Sequence, residues 1–528
     1  MVRLLSLVVG HERSVWARLA WLCLSVATVA LFAAEAWLLA SAVLPEQVAD
    51  YIPDEVLFYN RASNYRLSEG FTAGYGYLFW LLASTFLRCS TWSFATNLII
   101  LRISSLTFKY LAFVSIALAV RRLRGGLAGG AFYAVMLLTP AFYFYGKVFS
   151  PEYLLLFLTA LAIYLLTRDE GRLGGNFFAA VAAVIAALAT KLTVAPLGLL
   201  FVAYIWRYRS RITLKTFLLA AIVVAVALCL NGLPLLTSAG RAATIETMRA
   251  YSTMSSFGLG HLKNWYHMDF RTWDQIPLGG LRVDFTPLLI CGGVSLALYL
   301  LVSALAIASA ARRKAGTPGL PLVAPGAFAM QDAISTRGVK SVGGPPQTDS
   351  FLSAALLATG GVMIALVCFR SVSLYWYLFP AYLVTMAGLF GLCGTKPTVI
   401  LTLLIVATVT PPRIYWRMAD RATHNAQLDA NFAASERISR LILDRYPDGG
   451  LVLTDILVAY RPVAPLEVIR FWEVIPKDRR GPFKNLRFII TNSQVKESLF
   501  LTILFDGSLP KEFVRMGEVD GLVVHAKQ

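Results

Sequence analysis

Asp54 and Glu55 stand side by side in YIPDEVLFYN, residues 51–60, about ten residues beyond the first long apolar run. Glu69, Lys147, Glu152, Lys191 and Arg370 follow, each close to the edge of another apolar run. Desolvating such groups is costly, so charges kept at these edges are candidates for chemistry. A carboxylate can accept the proton of an attacking alcohol, and a Lys or Arg can neutralise a departing phosphate. Gathered on one face, they suit an enzyme that activates a hydroxyl while holding an anionic leaving group. Tyr51, Phe58, Tyr59, Tyr65, Phe71, Tyr75 and Tyr77 crowd the same region. Their rings suit sugar stacking, and they equally suit anchoring at a membrane interface. His261, His267 and Asp269 have a spacing that could ligate a divalent metal, although loop His and Asp are more often solvated.

The elements that must position these groups are apolar. The 528 residues are 57% hydrophobic and 15% charged, with a mean hydropathy of +0.64. This composition is that of an integral membrane protein rather than a water-soluble domain. A helix needs roughly 20 apolar residues to cross a bilayer core, and such windows recur up to about residue 410. The formal charge of +18 fits basic loops that meet anionic lipid heads, and nucleic acid is not an expected partner. The ASA at 40–42 resembles a cleavage site, but the apolar run before it is too long for a signal-peptide core, so it reads as a retained helix. Five of the six cysteines lie in apolar runs and the sixth, Cys89, beside one, which offers no disulfide framework or zinc spacing.

Basic residues stay on the cytoplasmic side, and this turns apolar runs into a topology. The clusters are Arg121, Arg122 and Arg124; Arg168 and Arg172; Arg207, Arg209, Arg211 and Lys215; Arg312, Arg313 and Lys314; and Lys396. With the N-terminus inside, 19–44 crosses outward and 96–120 returns, leaving 75–87 as a juxtamembrane helix on the outer face. Helices near 127–146, 152–167, 175–190, 194–206, 214–232, 286–310, 351–369, 375–393 and 398–411 then alternate, giving about eleven crossings in a domain spanning 1–411. The outer face of this plasma (inner) membrane protein collects 45–95, the turns at 147–152 and near 191, the loop 233–285, the turn 369–376 and the tail. The Gly- and Pro-rich segment 311–349 is expected inside and largely disordered.

The tail, 412–528, changes character. THNAQLDANFAASERISRLILDRYPDGG reads as an amphipathic helix stopped by Pro and Gly. LVLTDI, LRFIITN and GLVVHA read as short strands, so the tail is expected to be a small extracytoplasmic α/β domain.

Four stretches together carry a family resemblance: Asp54-Glu55 after the first helix, SEGFTAGYGYLFWLLASTF (68–86), FYFYGKVFSPEYLLLFLTALAIYLLTR (142–168) and ALATKLTVAPLGLL (187–200). In order and spacing they resemble the polyprenyl-phosphate-sugar-dependent GT-C glycosyltransferases, in the branch of the protein O-mannosyltransferases and lipid A aminoarabinose transferases. FRSVSLYWYLFP (369–380) resembles the family's later arginine-tyrosine turn more loosely. The resemblance implies a GT-C-like membrane fold. It also implies an inverting enzyme that takes sugar from a polyprenyl-phosphate carrier outside the membrane and passes it to a glycan, lipid or protein hydroxyl. Asp54 matches the family's candidate general base, with Glu55 beside it, and Glu69 matches the loop acid before the AGY segment. Glu152 stands where the family commonly has Asp, and its extra methylene moves the carboxylate outward. Lys191 matches a Thr-Lys placed near the carrier phosphate. Some relatives carry Lys directly after the acid matching Glu69, where this chain has Gly70, so phosphate neutralisation falls to Lys147, Lys191 or Arg370.

The same residues have plainer readings. Asp54-Glu55 after Pro53 and Glu152 after Pro151 both suit helix N-termini. Lys147, Lys191 and Arg370 suit snorkelling or interfacial anchoring. Glu35 lies inside the first helix, where a carboxylate is expensive and is expected to be paired or protonated, in a structural rather than a catalytic role. A flippase or transporter of a lipid-linked substrate and a non-catalytic envelope scaffold remain the alternatives. Neither an inverted repeat nor a midplane pair of broken helices favours transport.

Overall fold

The computed structural model describes residues 15–41, 58–59, 62–63, 65, 76–92, 94–139, 149–238, 240–242, 245, 350–368, 379–393, 398, 402, 433–454, 460, 462–470, 485–492 and 509–528. Its helical part contains α1 (Val15–Ser41), α2 (Tyr77–Cys89), α3 (Phe94–Arg124), α4 (Gly126–Leu138), α5 (Pro151–Asp169), α6 (Gly175–Thr190), α7 (Leu197–Arg207), α8 (Leu214–Gly232), α9 (Ser350–Cys368) and α10 (Phe379–Leu392). Each overlaps an apolar run read from the sequence; the run expected over 127–146 is described as helix to Leu138, and residues 140–148 lie outside the described residues. The expected helix 286–310 and all of 398–411 except 398 and 402 lie outside the described residues.

Three helices among the described residues are long and apolar enough to cross a membrane: Arg18–Trp37, Thr96–Arg124 and Pro151–Asp169. Seven further apolar segments are shorter, so these helices do not by themselves reproduce eleven crossings. Large apolar side chains stay uncovered on α1 (Leu22, Val26, Val29), α7 (Val202, Trp206) and α8 (Phe217, Leu218, Ile222). Water would penalise such faces, whereas hydrocarbon tails would not.

The bundle core is made by α3, α4, α5, α6, α7, α9 and α10, with Leu106, Phe113, Phe132, Tyr153, Ala180, Leu200, Leu356 and Phe390 deep within it, and α1 adds Trp21 and Leu39. α3 and α5 run side by side in the same direction: Leu98 and Leu101 share a cluster with Leu154, and lower down Phe108 stacks on Phe157 at 5.7 Å. α5 and α6 form an antiparallel hairpin through the turn 170–174. There the Asp169 carboxylate accepts hydrogen bonds from Leu173 N at 2.7 Å, Gly174 N at 2.8 Å and the Tyr204 hydroxyl at 3.0 Å. Arg211 Nη1 donates to Gly171 O at 3.1 Å, and Arg122 pairs with Glu170 at 3.6 Å. Basic clusters distant in sequence therefore meet at one end of the bundle, and the turns carrying Glu152 and Lys191 meet at the other.

The C-terminal part has its own core. A helix, α11 (433–445), packs Ala434, Ile438 and Ile442 on a five-stranded sheet of β1 (Gly450–Thr454), β2 (Leu466–Arg470), β3 (Leu486–Asn492), β4 (Phe513–Val519) and β5 (Leu522–Lys527). The order is β2-β1-β3-β5-β4, parallel through β2, β1 and β3 and antiparallel from β3 to β5 and β4. Asp520 and Gly521 form a two-residue hairpin loop with φ of 50° and 81°, the left-handed pair that matches strand twist. β1, β3 and β5 are the three strands expected from sequence. β2 and β4 were not foreseen: both are edge strands, and LEVIR and FVRMGEV mix charge with apolar residues because one side meets solvent.

Candidate functional site

α5 begins as its sequence dictates. Ser150 caps it, its hydroxyl accepting from Glu152 N at 3.2 Å, and Pro151 occupies the first turn where its missing N–H costs nothing. Glu152 in that first turn is favoured by the helix dipole, so the plain reading of this residue holds locally. Its carboxylate also reaches further. Lys191 ends α6 in extended backbone, its N–H donating to Ala187 O at 2.8 Å, and its ammonium lies 2.5 Å from Glu152 Oε1. The two side chains are 1% and 2% exposed. Such a buried pair is tolerated because each charge answers the other in a weakly screened interior. Lys191, expected beside the carrier phosphate, is thus engaged with a carboxylate and holds Glu152 in place.

A third segment closes on the pair. Gly76 N donates to Thr190 O at 2.7 Å, one residue before Lys191. A side chain at Gly76 would place Cβ 1.9 Å from Ala189 O, a backbone atom that cannot swing aside. The second glycine of AGYGY is therefore required by close approach to the end of α6. From the fourth segment, Phe379 at the start of α10 packs against the Tyr153 ring at 6.0 Å, beside Glu152. Residues 76, 150–153, 190–191 and 379, far apart in the chain, meet at one end of the bundle.

The aromatic residues collect next to this junction. Phe58, Tyr59, Tyr65, Tyr77, Phe79, Trp80 and Phe149 form a buried cluster, with Phe79 and Phe149 stacked at 4.9 Å. Tyr59 and Tyr77, named for sugar contacts, are 7% and 6% exposed in this cluster, so protein covers most of each residue. Asp54, Glu55, Glu69, Tyr75, Lys147, Arg370, His261, His267 and Asp269 lie outside the described residues. Among the described residues no group of three His, Cys, Asp or Glu is placed to hold a metal.

Two cations were missed by the sequence reading. Arg102 and Lys109 project from α3 and are 0% and 1% exposed. The parallel run of α3 and α5 sets Arg102 at about the height of Glu152. Lys109 Nζ donates to Glu35 Oε2 at 2.5 Å, so of the two arrangements expected for Glu35 the structure shows the paired one. The signal was available, since an Arg and a Lys interrupt an otherwise apolar helix, where charge is rare without a function or a partner.

The chain matches no protein-family model and no curated protein. It is similar to the crystal structure of ArnT from Cupriavidus metallidurans bound to undecaprenyl phosphate, with a TM-score of 0.38 and 13% identity over 94% of this chain and 97% of that one. The apo state of the same ArnT gives a TM-score of 0.31 and 14% identity over the same shares.

Proposed function

We propose that the chain is a membrane-embedded glycosyltransferase that moves a sugar, with inversion, from a polyprenyl-phosphate carrier to an acceptor hydroxyl on the extracytoplasmic side. The observation that carries this reading is the junction of Gly76, Glu152, Lys191 and Phe379. These residues come from separate stretches that resemble the family, and they meet at one end of the bundle. An arrangement serving only membrane anchoring has no need to join an acid and a base in a water-poor interior.

In the proposed mechanism Asp54 accepts the proton of the acceptor hydroxyl while that oxygen attacks the anomeric carbon. The carrier phosphate departs with the electron pair of the broken C–O bond. Lys147 and Arg370 are the proposed neutralisers of its growing charge. Lys191 acts on Glu152, keeping that carboxylate pointed at the junction, with Glu55 and Glu69 as neighbouring acids and Tyr75 as a sugar contact. A divalent metal through His261, His267 and Asp269 is not needed for any of these steps.

Mass spectrometry of envelope glycans, lipids and glycoproteins in a deletion strain beside an Asp54→Asn strain tests the reading. The same sugar should vanish in both, with the Asp54→Asn protein present at its normal level. Movement of labelled carrier lipid without a new glycosidic bond would instead establish transport. Unchanged glycosylation in both strains would overturn the transferase.

A further inference from the structure

α1 is held to the bundle by a seam of polar contacts. Trp21 Nε1 donates to Gly126 O at 3.1 Å, the hydroxyls of Thr28 and Tyr133 share a hydrogen bond at 2.6 Å, and Glu35 accepts from Lys109 at 2.5 Å. Positions 21, 28 and 35 recur every seven residues and so share one face of the helix. Gly126 and Tyr133 keep the same spacing on α4, which makes α1 and α4 parallel. Apolar packing lies along the same face, with Trp21 stacked on Tyr133 at 6.0 Å, Phe32 edge-on to Tyr110 at 5.7 Å and Leu39 buried, while Val15, Leu19, Leu22, Val26, Val29 and Trp37 on the rest of the helix are exposed.

The ionic contact buries the two groups that are costliest to desolvate. Glu35 and Lys109 are 6% and 1% exposed, and the Lys109 ammonium also lies 4.7 Å from the Tyr110 ring centre. An apolar pair would hold two helices together as firmly, so a buried ion pair is poorly explained by cohesion alone. It supplies direction. Leu against Leu tolerates a sliding or rotating helix, whereas a carboxylate moved by one position would be left buried without its ammonium. Glu35 stands within two turns of Ser41, where α1 ends and the chain enters the loop 45–95 that carries Asp54.

We propose that Glu35 and Lys109 are a positioning pair for the transfer reaction: they set the rotation and depth of α1, and through it the place from which the first external loop delivers Asp54. This inference rests on the proposed function. It assigns the pair no contact with substrate.

The test uses the full-length protein lacking its native cysteines, with spin labels at Trp37→Cys and Leu82→Cys on exposed positions of α1 and α2, and with Glu35 and Lys109 intact, Glu35→Gln, or exchanged (Glu35→Lys with Lys109→Glu). Pulsed electron spin resonance should show the α1–α2 distance shifted or broadened in Glu35→Gln and restored in the exchange. In unlabelled folded protein, kcat should fall about tenfold or more in Glu35→Gln with the KM for donor unchanged, since a misplaced base costs turnover rather than binding. The exchange should recover it. If Glu35→Gln or the exchange does not fold, Glu35→Asp, which keeps the charge on a shorter stem, takes its place and should show the same shift in smaller degree. A folded charge-neutral or shortened variant with wild-type distances and wild-type kcat would overturn the proposal. Should the wild-type protein transfer no sugar, the function reading falls, and the distance measurement still decides whether the pair sets α1.

Discussion

Glu152 and Lys191 are buried so completely that neither can lose its partner without leaving a charge in apolar surroundings. Lys191→Met should therefore destabilise the protein by about 3–5 kcal/mol, read as a lower unfolding temperature in detergent. Glu152→Gln with Lys191→Met should regain much of that loss, because the isolated carboxylate is the costly species. Equal and additive losses would show that the pair is not coupled. At this scale the sequence was informative about residue type and edge position. It could not reveal that Lys191 meets Glu152, since that contact bridges 39 residues and depends on the hairpin of α5 and α6.

At the scale of elements, the docking of α2 on the end of α6 rests on one missing side chain. Gly76→Ala should drive Cβ into the backbone of Ala189, costing about 1–3 kcal/mol and abolishing transfer by parting the two segments. Gly198→Ala is the control: nothing lies within 4 Å of a Cβ at that position in α7, so stability and activity should be unchanged or slightly improved. Comparing the two variants by unfolding temperature and glycan analysis separates close approach from general helix propensity. Helices were legible here because apolar runs are long and bounded by Gly, Pro and charge. Strands β2 and β4 were not, because an edge strand mixes polar and apolar residues according to neighbours that the linear sequence does not display.

Across the whole molecule, basic turns gather at one end and the Glu152–Lys191 junction at the other, which gives the described bundle a polarity. We propose, from the positive-inside rule, that the junction and the C-terminal domain face outward. A cysteine at the exposed Lys511, in a variant lacking the native cysteines, should react with a membrane-impermeant maleimide in cells whose plasma membrane is intact. Labelling only after lysis would reverse the orientation. On that proposed orientation the domain also meets changing pH. Burial, and then the charge of Arg515, depress the His525 pKa below its ordinary value. The unfolded chain binds a proton that the folded one refuses, so stability is full above about pH 6.5 and declines as pH falls below it. Unfolding of this domain followed by hydrogen exchange should show that slope, and His525→Gln should flatten it.

The linear sequence by itself pointed to a membrane chain, to where its apolar helices lie, and to Glu152 and Lys191 at the ends of two of them. Those properties follow from local chemistry: transfer of side chains into hydrocarbon, capping, and the aversion of cations to translocation. Only the tertiary structure decided which charges pair, that a glycine is needed where α2 touches α6, and that the first helix is stitched to its neighbours every seventh residue. Each of those outcomes is a contact between distant segments, fixed by the packing of whole helices.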